Sequence, residues 1–157
     1  MMIAKIDEID RKIMNELQVD GTLSVDALSE RVYLSRNACW RRVKRMEDEG
    51  IIKARVALVD PELAGCSLAV FVLIRTQNHD KDWLALFRST MSRFPEVVNV
   101  YRMSGEIDYV LKVRVSDMKA YDRLYKRLIE SVPLSDVSAS FVMEEIKETT
   151  AVPLDAI

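Results

Sequence analysis

The chain has 157 residues, 49% of them hydrophobic, enough to core one medium domain or two small ones. Its formal net charge of −2 excludes a generic polyanion binder, so any nucleic-acid contact must come from a local basic patch. The longest apolar run, Leu68–Ile74, is too short to span a bilayer, and no leader pattern precedes it, so the expected compartment is the cytoplasm, with no membrane partner. Cys39 and Cys66 lack CxxC spacing and are expected as reduced thiols; His79 is the only histidine, expected in an exposed loop. With no metal cluster, phosphate loop or Ser/His/Asp or Cys/His set, neither a metal nor a cofactor nor an enzymatic activity is expected.

Charge is uneven along the chain. Residues 1–58 carry 11 Lys/Arg against 10 Asp/Glu, and residues 59–157 carry 12 against 15. In the first part, Ile6, Ile9, Ile13 and Leu17 form a helical stripe behind Asp7, a plausible N-cap, and Gly21 stops the helix. Ser24 caps a short second helix with Ala27, Leu28 and Val32 inward. Tyr33-Leu34 then turn into a third helix, capped by Ser35 and ended by Gly50. Cys39, Val43 and Met46 give this helix a core stripe, while Arg36, Asn37, Arg41, Arg42, Lys44 and Arg45 occupy its other faces. Ser35 to Arg45 holds five basic residues and no acidic one. Short helix, tight turn and longer basic helix make a winged-type helix-turn-helix, and the first helix is the support such a motif needs.

Residues 51–59 are β-prone and read as an extended connector or edge strand, broken by Asp60-Pro61. The boundary is placed at 58/59, giving domains 1–58 and 59–157. The second part reads as strand 67–76, helix 80–94 ended by Pro95, strand 97–103, loop 104–108 and strand 109–115. An Asp117-capped helix follows, with Met118, Tyr121, Leu124, Tyr125, Leu128 and Val132 inward, and then a last strand 137–147. The class is therefore α+β: a helix-turn-helix followed by a ferredoxin-like βαββαβ domain. Its first strand is apolar both ways, so its second face needs cover. A second copy of the chain is the expected cover, and Asp at Val70 or Val72, whichever meets the partner, should disrupt it.

A helix-turn-helix, short linker and βαββαβ domain in this order resemble the Lrp/AsnC family of transcription regulators. The resemblance spans nearly the whole chain. Ile9-Asp10-Arg11-Lys12-Ile13, Leu28-Ser29-Glu30-Arg31-Val32, Cys39 with Arg42-Val43 and Met46-Glu47, Gly50-Ile51-Ile52, Ser104-Gly105-Glu106-Ile107-Asp108-Tyr109 and Phe141–Lys147 carry it. It implies a dimer that assembles further, into tetramers or octamers, and a small amino-acid effector. Ala69–Ile74, Asp117-Met118-Lys119 and Thr149–Leu154 look like a subgroup that includes regulators of cysteine catabolism, so cysteine is the first effector expected, with leucine or methionine next. Two features depart from the family. Tyr33 stands where a turn glycine is usual, and Arg36-Asn37 where small residues or proline are common.

The expected contacts to double-stranded DNA are Ser35, Arg36, Asn37, Arg41, Arg42, Lys44 and Arg45. Trp40, at the border of the apolar stripe, is expected to pack rather than to stack on DNA. The expected effector site is Ser104, Gly105, Asp108 and Tyr109, with Met118 and Ser140 as walls. Asp108 would accept from backbone amides or from an effector ammonium. Ser138 and Ser140 either face solvent or line that pocket in a neighbouring subunit. The leading expectation is a sequence-specific regulator modulated by a small amino acid. The alternatives are an architectural DNA-binding protein without an effector and an amino-acid sensor acting on a protein partner.

Overall fold

A computed structural model describes residues 6–78 and 80–154, so the expectation for His79 lies outside the described residues. The chain divides into two units: one built from the chain up to Leu58 together with the segment from Lys147, the other from Val59 to Ile146. This corrects the expected extent of the second domain. The last segment groups with the helices, because the Gln18 amide clamps the main chain of Val152 through both its atoms, at 2.6 and 3.1 Å, and Leu154 is buried in the helical core.

The helical unit contains α1 (Glu8–Val19), α2 (Val25–Arg31) and α3 (Arg36–Asp48). Asp7, Ser24 and Ser35 cap them by accepting from Asp10, Ala27 and Ala38 N–H groups. Ile13, Leu28, Cys39, Val43 and Met46 fill the core between the three helices. Burial pushes the Cys39 thiol pKa up. The turn before α3 puts Tyr33 at φ 57°, the left-handed region that a turn glycine would favour. The strain is tolerated because the side chain is exposed and the turn is closed by Tyr33 N–H to Glu30 C=O and Leu34 N–H to Ser29 C=O. Residues 51–59 form no strand: Ile51 and Ile52 bend and pack against the helical core, and the rest runs on without regular structure.

The sheet unit contains β1 (Leu68–Arg75), α4 (Lys81–Met91), β2 (Val97–Arg102), β3 (Tyr109–Val115), α5 (Met118–Ser131) and β4 (Asp136–Phe141). The four strands lie in the order β2-β3-β1-β4, each neighbour antiparallel, the ferredoxin-like arrangement expected. Val70, Val72 and Ile74 of β1 and Tyr109, Leu111 and Val113 of β3 face Trp83 and Phe87 of α4 and Leu124 and Leu128 of α5. Val70 and Val72 are thus core residues, not the partner-facing ones. Strand pairing aligns Tyr101, Val110, Leu73 and Ser138 in one row and Asn99, Lys112, Phe71 and Ser140 in the next. Phe71 is 36% exposed and Tyr101 50%. The doubly apolar β1 therefore does leave an uncovered face, opposite the helices.

Two sequence expectations change. β4 stops at Phe141, and residues 142–145 instead bend so that Val142 N–H reaches Ala69 C=O and Glu145 grips Arg114 at 2.6 and 2.7 Å. Met118 is exposed rather than inward, since the apolar stripe of α5 runs through Leu124 and Leu128.

Candidate functional site

Helix α3 carries three kinds of surface. Cys39, Val43 and Met46 are buried in the helical core. Arg42 and Arg45 turn toward α1. Asn37, Arg41 and Lys44 point away from the core, exposed, with Ser35 at the leading end. Arg36 is exposed and ion-paired to Asp26 of α2 at 2.7 Å, and Lys44 to Asp48 at 2.8 Å. Asp48 also raises the Lys44 pKa, so that ammonium stays charged. Such exposed pairs are weak enough to be exchanged for phosphate.

Arg42 and Arg45 behave differently from the rest of the basic set. Asp10 is fully buried, and its Oδ1 accepts from Arg42 at 2.8 Å and its Oδ2 from Arg45 at 2.5 Å. Asp7 takes a second bond from Arg42 at 2.7 Å. Asp7 and Asp10 also bond each other's backbone N–H in a capping box. The Asp10 N–H bond, followed by the Arg42 guanidinium, holds the Asp7 carboxyl down to about 2, and the same carboxylates raise the Arg42 pKa. Charge is needed here because a carboxylate without a partner cannot stay buried. The expectation that Arg42 lies on an outward face is corrected: both arginines fasten α3 to α1. The clue was available, since Asp10 lies four residues after Ile6 and three before Ile13, on the inward stripe of its helix.

The structure also corrects Trp40, expected to pack. It is 54% exposed and makes no ring or cation–π contact among the described residues.

In the sheet unit, Ser104 to Asp108 connect β2 to β3, with Gly105 at φ 119°, a conformation closed to most side chains. Asp108 Oδ2 accepts from Thr76 N–H at 2.8 Å, Asp108 N–H donates to Ile74 C=O, and Met103 N–H donates to Asp108 C=O. Of the two partners weighed for this carboxylate, the fold supplies the backbone amide. Arg75 Nε donates to Glu106 C=O, a further tie between loop and β1. Tyr109, expected in the effector site, is instead buried in the core and packed on Trp83 and Phe87, at ring separations of 5.6 and 4.6 Å. Met118 and Ser140 are not brought to the loop within one chain. Met118 follows the far end of β3, about 20 Å away at strand rise. Ser140 pairs with Phe71, three residues along β1 from Ile74.

An open groove of about 630 Å³, not anticipated from sequence, lies at that far end, lined by Cys66, Glu96, Ser116, Arg123 and Arg127 among others. Arg127 is already ion-paired to Glu96 and stacked over Phe94. No group of His, Cys, Asp and Glu fit to hold a metal occurs among the described residues, and none of their helices is long and apolar enough to cross a membrane.

Comparison with known proteins gives concordant results. Residues 6–53 match the family model for winged helix-turn-helix DNA-binding, and residues 69–152 that for the Lrp/AsnC ligand binding domain. The DNA-binding transcriptional activator DecR of Escherichia coli is 52% identical over 151 residues, covering 96% of this chain and 99% of DecR. An AsnC family transcriptional regulator from Agrobacterium tumefaciens superposes with a TM-score of 0.93 at 50% identity, covering 96% of this chain and 99% of that one. A Neisseria meningitidis transcriptional regulator solved in complex with L-Met superposes with a TM-score of 0.91 at 36% identity, covering 97% and 99%. These relatives are regulators rather than enzymes. Basic α3 on its three-helix support, the four-stranded ferredoxin-like unit and these matches together place the chain in the Lrp/AsnC family of DNA-binding transcription regulators.

Proposed function

We propose that the chain reads double-stranded DNA through the outward face of α3 and that a small amino acid bound at the 104–108 loop modulates that binding. One observation carries the DNA assignment. Asn37, Arg41 and Lys44 share an exposed face on a stretch, Ser35 to Arg45, that holds no acidic residue, and Asp48 touches this face only through its exposed pair to Lys44, on a helix locked to its support. Asn37 and Arg41 supply base-edge or phosphate contacts, Ser35 and Arg36 contact the backbone at the leading end, and Lys44 follows it outward. Arg42 and Arg45 act by positioning.

At the loop, exposed Ser104 and Gly105 N–H groups suit an effector carboxylate, and Asp108 holds the loop on β1. Cysteine is the first effector proposed, with leucine or methionine next; the L-Met complex of the Neisseria relative supports the amino-acid class. Homodimerisation through the Phe71, Leu73, Val110 and Tyr101 face, with assembly to tetramers or octamers, would bring Ser140 and Met118 of neighbouring copies nearer such a site. The uncovered apolar face supports this assembly. The domains serve these roles as 1–58 for DNA and the sheet unit for effector and assembly, in the cytoplasm.

The test is a thermal-shift scan of the full chain against the twenty amino acids, followed by DNA affinity across a salt series with and without each hit. Salt-steep binding that changes with one amino acid is the expected result. Salt-steep binding that no amino acid alters would favour the architectural alternative, and salt-insensitive or absent binding the protein-partner one.

A further inference from the structure

We propose that Trp40 is a specificity-determining residue that reads thymine by packing its indole on the C5-methyl group in the major groove. The inference rests on the recognition-helix reading above. Trp40 lies three residues after Asn37 and four before Lys44, so it shares their turn-to-turn stripe, and Arg41 adjoins it. It is 54% exposed, has no ring or cation partner among the described residues, and adjoins the core residue Cys39 without joining the core cluster. A large apolar side chain left in water amid cations is unfavourable in the free protein and becomes favourable only when something apolar covers it. The surrounding charge selects that cover: exposed Arg41, with Arg36 and Lys44 whose exposed pairs to Asp26 and Asp48 are exchangeable for phosphate, draws a polyanion, not an apolar protein surface.

The base edges then narrow the contact. Indole donates one hydrogen bond and accepts none, so Trp40 is a poor reader of the donor–acceptor code. The thymine methyl is the apolar group that this code offers in the major groove. Wedging between base steps from the minor groove is excluded by size: an α-helix with its side chains is about 10–12 Å across, and the minor groove only about 6 Å wide. The preferred site should therefore hold an A·T pair in fixed orientation at one position per half-site, next to the positions read by Asn37 and Arg41.

The probe is a random duplex pool, selected with the full chain and then resynthesised with single thymine-to-deoxyuridine replacements. Deoxyuridine keeps the O4 acceptor and the pairing with adenine and lacks only the methyl. One position per half-site should weaken wild-type binding by about fourfold, the transfer contribution of one methyl-sized group. Trp40→Ala should bind more weakly and show no deoxyuridine penalty at that position, and Trp40→Leu should retain part of the penalty. The core stripe of Cys39, Val43 and Met46 is untouched by these changes, so both variants should keep the wild-type melting temperature. Equal deoxyuridine penalties at every position in wild type and Trp40→Ala would overturn the proposal. A pool that enriches no site would remove the recognition-helix reading, and this proposal with it.

Discussion

Helices α3 and α5 are alike in composition and unlike in use. Each is amphipathic, capped by a side-chain oxygen, and rich in cations, with five Lys/Arg in α3 and four in α5. Cation count therefore does not distinguish a DNA reader from a solvated face. The distribution of carboxylates does. In α5, Asp122 lies one turn from Lys126, and Glu96 reaches Arg127, so cations and anions alternate along its surface. In α3 the acids are collected at Glu47 and Asp48, and a buried carboxylate outside the helix, Asp10, draws Arg42 and Arg45 to one flank. What remains is Asn37 and Arg41, with Lys44 beside them held by an exposed pair to Asp48 at the acidic end, on a helix fastened to α1. The difference teaches that two arginines fasten α3 to α1, which leaves the others for the proposed DNA contact.

Removing that lock should have the largest effect. Asp10→Ala leaves Arg42 and Arg45 without their buried anion, and breaking a buried pair typically costs about 3–5 kcal/mol. The guanidiniums are part-exposed, at 30 and 39%, so the lower end, about 3 kcal/mol, is expected in chemical unfolding of the helical unit. Asp10→Asn keeps an acceptor and should lose less. No equivalent loss should follow from Asp122→Ala in α5, where the pair is exposed and worth about 0.3–0.5 kcal/mol.

Next in size is the loop of the sheet unit. Asp108→Ala removes the bond to Thr76 N–H and should cost about 1–2 kcal/mol as well as the effector response. Asp108→Asn retains a carbonyl acceptor for that bond and loses the charge. If the carboxylate meets an effector ammonium, Asn keeps the melting temperature and loses the response. If Asp108 only ties the loop, Asn keeps both. DNA affinity with and without the amino-acid hit separates the two.

The smallest effect is in pH. The Asp7 carboxyl sits near 2 in the folded chain, below the ordinary value of 3.8. A depressed value means that the folded state binds the proton less readily than the unfolded one. The stability it contributes is present above pH 4 and is lost as pH falls from about 4 toward 2. Asp7→Asn should flatten that part of the stability–pH curve, measured on the full chain by thermal melts.

Much of the fold was legible because caps and periodicities agree with tertiary packing. Asp7, Ser24, Ser35 and Asp117 all serve as the N-caps their positions suggest. Charged side chains were harder to place, since helical spacing tells which face a residue occupies but not what stands opposite. Arg42 lies next to Val43 in sequence and finds its partner 32 residues away, in Asp10. Trp40 was misplaced for the converse reason: its apolar character suggested packing, yet more than half of its surface is exposed and it has no ring or cation–π partner among the described residues. The last strand ended early because Glu145 leaves the β4 line for Arg114, a long-range ion pair that no local pattern marks. Met118 and Ser140, expected as effector walls, lie away from the 104–108 loop within one chain, a separation set by the strand order that no local pattern marks.

The division of labour on α3 is tested most directly by salt dependence. DNA affinity is measured from low to moderate salt for wild type, Arg41→Ala and Arg42→Ala, with melting temperatures alongside. Arg41→Ala should keep its melting temperature and lower the slope by about one unit per protomer on the DNA. Arg42→Ala should lower the melting temperature and leave the slope of its folded fraction near that of wild type. The contrary pattern, a reduced slope in Arg42→Ala with none in Arg41→Ala, would show that the locked arginine is the DNA contact and would overturn the account.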